Sequence, residues 1–283
     1  MTGAAVAAFL SDGRLHLQHG PIDLIIEANG DAKDISIAYD AMAKRFETVL
    51  DELVLELASL REEVSSVDNA KSPIARRMII AAGKFNDEFV TPMAAVAGSV
   101  ADEIVEIGWN VISLSKLYIN NGGDIAFRIS PGHELTVGVA KSVTSSALLG
   151  RLHFSANSNV RGVATSGFGG RSRTFGIADA VTVVSSCAAD ADVAATLIAN
   201  HVSLGSHPQV SAVAANLIDE SSDLGGRLVT TAVGVLTNYE IKSALDKGEH
   251  RANELFAKQL ISGAFLALRG SVRSVGEFSY TQI

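Results

Sequence analysis

Forty residues, Arg161 to Asn200, hold the side chains of this chain best able to do chemistry. Thr165-Ser166-Gly167-Phe168-Gly169-Gly170-Arg171-Ser172-Arg173 is a glycine-rich turn. Its small residues let backbone N–H groups approach a ligand, and the guanidiniums of Arg171 and Arg173 stand ready for an anion. That is the composition of a phosphate cradle, and equally of a plain surface turn. Next comes Ile177 to Ser185, a β-branched run that predicts a buried strand entered by an acid, Asp179. Asp192 and Thr196 then stand four residues apart in an alanine-rich segment, so a helix there puts both on one face. A carboxylate and a hydroxyl so placed offer two hard oxygens to one Mg²⁺. Asp190, at the start of the same segment, reads as an N-terminal cap.

Composition narrows what such a site can serve. With 283 residues, 47% of them hydrophobic, the chain can bury an ample core, as one domain over residues 1–283 or as two intertwined α+β halves. A net charge of −8 argues against a nucleic-acid polymer as partner, because binding one needs cations to replace its counterions. Yet between Glu134 and Asp179 there is no acid, while Lys141, Arg151, Arg161, Arg171 and Arg173 all fall there. A small anionic ligand suits that local excess better than a polymer does. The single cysteine, Cys187, excludes an internal disulfide, and its apolar setting predicts a buried, inert thiol. The short apolar run at the N-terminus lacks a basic segment before it and cannot span a bilayer, and no other stretch is long and uncharged enough, so a cytoplasmic protein with no membrane partner is expected. His153, His201 and His207 have no motif context, no serine sits in a nucleophile elbow, and zinc-type Cys/His spacing is missing.

The positioning elements follow from periodicity. Arg14 to Ala28 alternates as strands broken at Gly20-Pro21 and ended by Asn29-Gly30, with His16 and His19 expected on the surface. Met42, Phe46, Val49, Leu50, Leu53, Leu57, Leu60 and Val64 recur at three and four, predicting one long helix over Ile35 to Val64 that packs across a sheet. Ser65 to Pro73 is a polar connection into a second helix, Ile74 to Phe85. Arg76 and Arg77 oppose the dipole of that helix and so answer to an acidic neighbour or an anionic ligand. Met93 to Ile107 is a third helix, whose Ala, Gly and Ser content implies close approach of another element or of a ligand. Lys116–Asn120 and Ile125–Ile129 are strands joined by a glycine turn, and further strands are expected at Leu135–Val139, Leu152–Phe154, Val160–Thr165, Leu228–Val233 and Phe265–Val275. A short helix should start at His207-Pro208, and a longer one should span Asn238 to Ile261.

The order of a small-residue helix, N-x-G-G-D-I after a strand (Asn120 to Ile125), A-T-S-G (Ala164 to Gly167) before a glycine/arginine turn, and Asp192 with Thr196 on a helix resembles the ApbE family of flavin-handling proteins. The strings HGPIDLIIEA, KSPIARRM, NNGGDIA and GIADAVTV resemble its short uncharacterised subgroup. The resemblance implies an α+β, T-fold-type architecture of antiparallel sheets with packed helices, and an FAD site with Mg²⁺ beside the pyrophosphate. It also implies one of two activities, transfer of FMN from FAD to a serine or threonine of a target protein or hydrolysis of FAD to FMN and AMP. Carried over, Asp192 and Thr196 match the metal pair and the backbone at Val96 a third ligand. Asn121, Gly122, Gly123, Asp124, Thr165, Ser166 and Gly167 match the flavin-lining segments, flanked by Arg171, Arg173 and Asp179. Two departures touch the nucleotide site. Ala97 stands where the family carries the lysine of A-K-G, and Gly176 to Val181 lacks the family's Asp-Pro-x-Thr-Gly segment. The alternative is therefore a non-catalytic flavin- or nucleotide-binding or assembly protein, with the Ala/Gly-rich helix as the interface of an oligomer such as a homodimer.

Overall fold

The computed structural model describes residues 3–64, 70–276 and 278–282, and shows an α+β chain of antiparallel strands and packed helices. It divides into two compact units interleaved along the sequence: Met1–Leu135, Phe154–Val163 and Ser185–Asp192 form the first, and Thr136–His153, Ala164–Val184 and Val193–Ile283 the second.

The first unit opens with strands β1 (Val6–Phe9), β2 (Leu15–His19) and β3 (Ile22–Asn29). Ile22, Leu24, Ile26 and Ala28 of β3 alternate inward, as a half-buried strand requires. They meet α1 (Ala32–Leu60), capped by the Asp31 carboxylate on Lys33 N, whose stripe Ala38, Tyr39, Met42, Phe46, Val49, Leu50, Leu53 and Leu60 is buried. Each large side chain in that stripe contributes about 1.5–3 kcal/mol on burial. Helix α2 (Pro73–Gly83) starts on Ser72, whose hydroxyl accepts from Ala75 N. A 3₁₀ turn at Pro92–Ala95 leads into α3 (Val96–Val111). Gly108 is where α3 meets α1 and the sheet, since a Cβ there would lie 2.6 Å from Met42 Sδ and 2.9 Å from Leu117. Strands β4 (Lys116–Asn121) and β5 (Asp124–Ile129) complete the meander, and Ile125 and Ala126 pair with Val163 and Gly162.

The second unit holds most of β6 (Glu134–Ala140) and β7 (Leu148–Ser155), the end of β8 (Gly162–Ser166), nearly all of β9 (Ala180–Ser185) and most of α4 (Ala188–His201). It continues with β10 (Val210–Ala214), the single turn α5 (Ala215–Ile218), β11 (Leu228–Val233) and α6 (Asn238–Ala257). Strands β12 (Gly263–Leu268), β13 (Ser271–Gly276) and β14 (Ser279–Gln282) close it. β12 pairs antiparallel with β9 and β13, β14 with β7, and β10 with β11.

Several expectations need correction. Phe265–Val275 is not one strand but the β12–β13 hairpin, turned at Arg269 (φ 49°) and Gly270 (φ 82°). No helix starts at His207-Pro208, and a turn there feeds β10, in keeping with the β-branched Val210 and Val213 that follow. His19 is buried against the Phe46 ring rather than exposed. The small residues of α3 serve close approach of other elements inside the chain, where Gly98, Ser99, Ala101 and Gly108 are all buried. Residues 65–69 of the expected polar connection lie outside the described residues.

Candidate functional site

Helix α3 begins without a cap of its own, because its N-cap residue is Ala95, which has no side-chain acceptor. The amides of its first turn therefore need an acceptor from elsewhere. Asp192, in the first turns of α4, supplies it: Gly98 N donates to Oδ2 at 3.0 Å and Ala97 N donates to the same carboxylate. The arrangement is returned. Asp102 of α3 accepts from Ala188 N at 3.1 Å and Ala189 N at 2.9 Å, capping the start of α4. The two helix ends cap one another at a separation that only glycine allows, since a Cβ on Gly98 would lie 2.3 Å from Ala188 O.

The hairpin between β4 and β5 is tied to the same place. Gly122 (φ 66°) and Gly123 (φ 117°) make the turn, and Gly123 N donates to Asn120 Oδ1 at 2.8 Å. Asn121, buried, donates from Nδ2 to Ala97 O at 3.0 Å. Asp124 stands at the far side of that turn, close enough for its charge to act on Asp192. Burial pushes the Asp192 carboxyl well above its ordinary range, Asp124 pushes the same way, and the amides of Gly98 and Ala97 pull against both. Burial likewise raises Asp102, opposed by the Ala189 and Ala188 amides and by the charges of Arg77 and Arg128. Arg77 donates to Glu106 at 2.8 Å, which makes an acidic neighbour, not a ligand, the answer to its place on α2. Asp190 is not the cap of α4. Its carboxylate is held by Lys84 Nζ at 2.6 and 2.8 Å.

The structure thus brings Val96, Asn121, Gly122, Gly123, Asp124 and Asp192 together in the first unit. Thr165, Ser166, Gly167, Arg171, Arg173, Asp179 and Thr196 belong to the second. There Thr165 and Thr182 share a hydroxyl hydrogen bond of 2.9 Å, and Phe168 N donates to Ala178 O at 2.7 Å. Gly167 passes so close to the next strand that a Cβ would lie 2.9 Å from Asp179 O. Arg171 and Arg173 are exposed on the turn. Asp179 Oδ2 accepts from Arg269 N at 2.5 Å and so holds the β12–β13 turn. Thr196 lies one turn beyond Asp192 on α4, half-buried.

Among the described residues no group of three His, Cys, Asp or Glu side chains forms a metal cage. Sequence reading missed Asp102, although an acid within the apolar run Val100-Ala101-Asp102-Glu103-Ile104-Val105 was the signal available.

The model of a family described as AbpE bacteria matches residues 7–274. A UPF0280 protein of Methanosarcina barkeri is 36% identical over 135 residues, which are 47% of this chain and 50% of that protein. One of Methanopyrus kandleri is 35% identical over 167 residues, 59% of this chain and 63% of that protein. The chain spans about half the length of the curated relatives it matches. Among solved structures, the ApbE protein of Thermotoga maritima aligns over 96% of both chains at 11% identity with a TM-score of 0.48. The apo form of the flavinyl transferase ApbE of Pseudomonas stutzeri aligns over 97% of this chain and 95% of its own at 12% identity with a TM-score of 0.40. No helix among the described residues is long and apolar enough to cross a membrane.

Proposed function

The chain belongs to the AbpE bacteria family, and from that premise we propose that it binds FAD or a related phosphate-bearing dinucleotide, with Mg²⁺ at the Asp192 centre of its first unit. One arrangement carries this reading: the Asp192 carboxylate sits at the amino end of α3, accepting from Gly98 N, where Asn121 of the turn that carries Asp124 is tied to Ala97 O. A carboxylate with a second acid close by offers hard oxygens to a divalent cation. Asp192, the Thr196 hydroxyl one turn along α4 and the backbone at Val96 would hold the ion. Its chemistry there is to neutralise charge on bridging phosphate oxygens. In the first unit, Asn121 to Asp124 are the segment proposed for the ligand; in the second, taken by itself, the proposed anion-facing segment is Thr165 to Gly167 with Arg171 and Arg173. With Asp179 engaged at Arg269 N, its part is to hold a turn of the second unit.

Transfer of FMN from FAD to a hydroxyl of a target protein, or hydrolysis of FAD to FMN and AMP, is the catalytic form of this proposal, by relationship to the family's characterised members. Ala97 favours a second form, binding without turnover. At the position of the family's lysine it offers only a methyl group and a carbonyl already held by Asn121.

Calorimetric titration of FAD into metal-stripped protein, with and without Mg²⁺, tests the site. Binding that needs Mg²⁺ and weakens at least tenfold in Asp192→Ala and in Asp124→Asn is the expected result, the second variant guarding against loss of the α3 cap. No binding under either condition sinks the flavin reading. Release of AMP from bound FAD then separates the catalytic form from the binding form.

A further inference from the structure

Strands β10 and β11 of the second unit form a sheet of only two strands. A ribbon that small is marginal in water unless something covers it. Its two edges are not alike. The outer side of β11 is occupied, because Thr230 N donates to Thr174 O at 2.9 Å and the Arg269 guanidinium donates to Val233 O at 2.8 Å. β10 is exposed along its middle, at Ser211, Ala212 and Val213.

Open edges in soluble proteins usually carry a lysine, a proline or a bulge that blocks further pairing. β10 reads Val-Ser-Ala-Val-Ala and has no charge and no proline. The ribbon does contain a bulge, but it falls on the covered strand. Ser211 pairs with Ala232 and Ala212 with Thr230, so the extra residue is Thr231 of β11, and β10 stays a regular edge. On the strand, on α5 that packs against it and on its partner strand the apolar side chains are bare: Leu217 is 78% exposed and Leu228 63%, with Val213 and Ile218 near 40%. Val213 and Leu228 occupy opposite faces of the ribbon, since Val213 pairs with Val229 while Leu228 pairs with Ala214. The contact such a surface fits is strand addition along β10, not docking of one flat face.

We propose that β10 pairs antiparallel with β10 of a second copy of this chain, forming a four-stranded sheet in the order β11-β10-β10-β11 across a twofold axis. The strand is complementary to itself. With Ala212 on the axis, Ser211 faces Val213 of the other copy and Val210 faces Ala214, small or β-branched side chains without a like-charge clash. Because β11 is already covered on its outer side, the assembly closes at two and leaves no edge for a third copy.

Sedimentation equilibrium of the full chain from about 0.5 to 50 μM, with two variants, decides the matter. The wild type should sediment at twice the 29.5 kDa chain mass. Val213→Lys puts a charge on an exposed strand position and should raise the dimer dissociation constant at least tenfold, with the circular dichroism and melting temperature of the monomer preserved. Ala212→Cys should give a disulfide-linked dimer under mild oxidation, since directly opposed strand residues lie within disulfide reach. Failure to cross-link, a wild type that is monomeric throughout the range, or a dimer indifferent to Val213→Lys overturns the proposal. A monomer that instead captures an unrelated extended peptide on β10 does so equally.

Discussion

Replacing Gly98 by alanine should be among the most damaging single-methyl changes in the first unit. A Cβ there would lie 2.3 Å from Ala188 O, 2.5 Å from Ala188 C and 2.8 Å from Ala189 N, all backbone atoms that cannot swing aside. Ordinary contact needs at least 3.4 Å, so the start of α4 must retreat by about 1 Å from α3. Forcing a methyl into packed backbone costs about 1–3 kcal/mol. The same retreat stretches the charged hydrogen bonds of Asp192 to Gly98 N and of Asp102 to Ala188 N and Ala189 N, and a hydrogen bond to a charged group contributes about 1.5–3 kcal/mol. Against this, alanine is better than glycine in a helix by about 1 kcal/mol. The net expectation is a loss of about 2–5 kcal/mol, a large share of the ~5–15 kcal/mol that holds a domain folded. Urea unfolding followed by circular dichroism measures it, with Gly226→Ala as the control. At Gly226 an added Cβ meets nothing within 4 Å, and that variant should be unchanged or slightly more stable. If Gly98→Ala unfolds at the same urea concentration as Gly226→Ala, the mutual capping of the two helices is not what the packing distances imply.

Asp102 makes a prediction about pH. Its carboxyl is raised in the folded protein, so between the ordinary carboxylate range and that raised value the native state keeps a proton that the unfolded chain has released, and above it the carboxylate is charged in both. Stability from this group therefore falls as pH rises from the ordinary carboxylate range to the raised value, and is level above it. Urea unfolding of the wild type and Asp102→Asn at several pH values should show that fall flattened in the variant, and parallel curves would refute the assignment. Cys187 should be nearly inert. Burial first, then the charges of Asp102 and Asp190, push its thiol up to about 12. Alkylation of native protein at pH 8 should run about a thousandfold slower than that of a free thiol near 8.5, and a rate near that of the unfolded chain would disprove the burial argument.

Much of the architecture could be read from the sequence wherever a local rule sufficed. The stripe from Met42 to Leu60 fixed the face of α1, Ser72-Pro73 marked the start of α2, and Gly122-Gly123 gave the turn of the β4–β5 hairpin because only glycine takes those φ values cheaply. The β12–β13 turn was hidden because its first residue is Arg269, which adopts φ 49° while Asp179, ninety positions earlier, holds its amide. β1 escaped notice for a different reason: all four of its residues are exposed, so it shows no inward-outward alternation. Within the candidate site, the placement of Asp192 and Thr196 on one helix was legible from their spacing. The hydrogen bonds of Asp192 to Ala97 N and Gly98 N were not, because they join segments 94 residues apart. Asp190 followed the cap pattern, but a lysine on another segment took its carboxylate, and an acid from the middle of α3 capped the helix instead.

That exchange of caps also sets a schedule for synthesis. The amino end of α3 leaves the ribosome 94 residues before the aspartate that completes it, a wait of roughly 5–20 s at ordinary translation rates. Until Asp192 emerges, the first turn of α3 has donors with no acceptor, and Asp102 holds a charge waiting for amides not yet made. The first unit, although it opens the chain, cannot finish before the second is well under way. A nascent chain stalled anywhere between Val111 and Asp192 should expose α3 to proteases and chaperones in a way the finished protein does not.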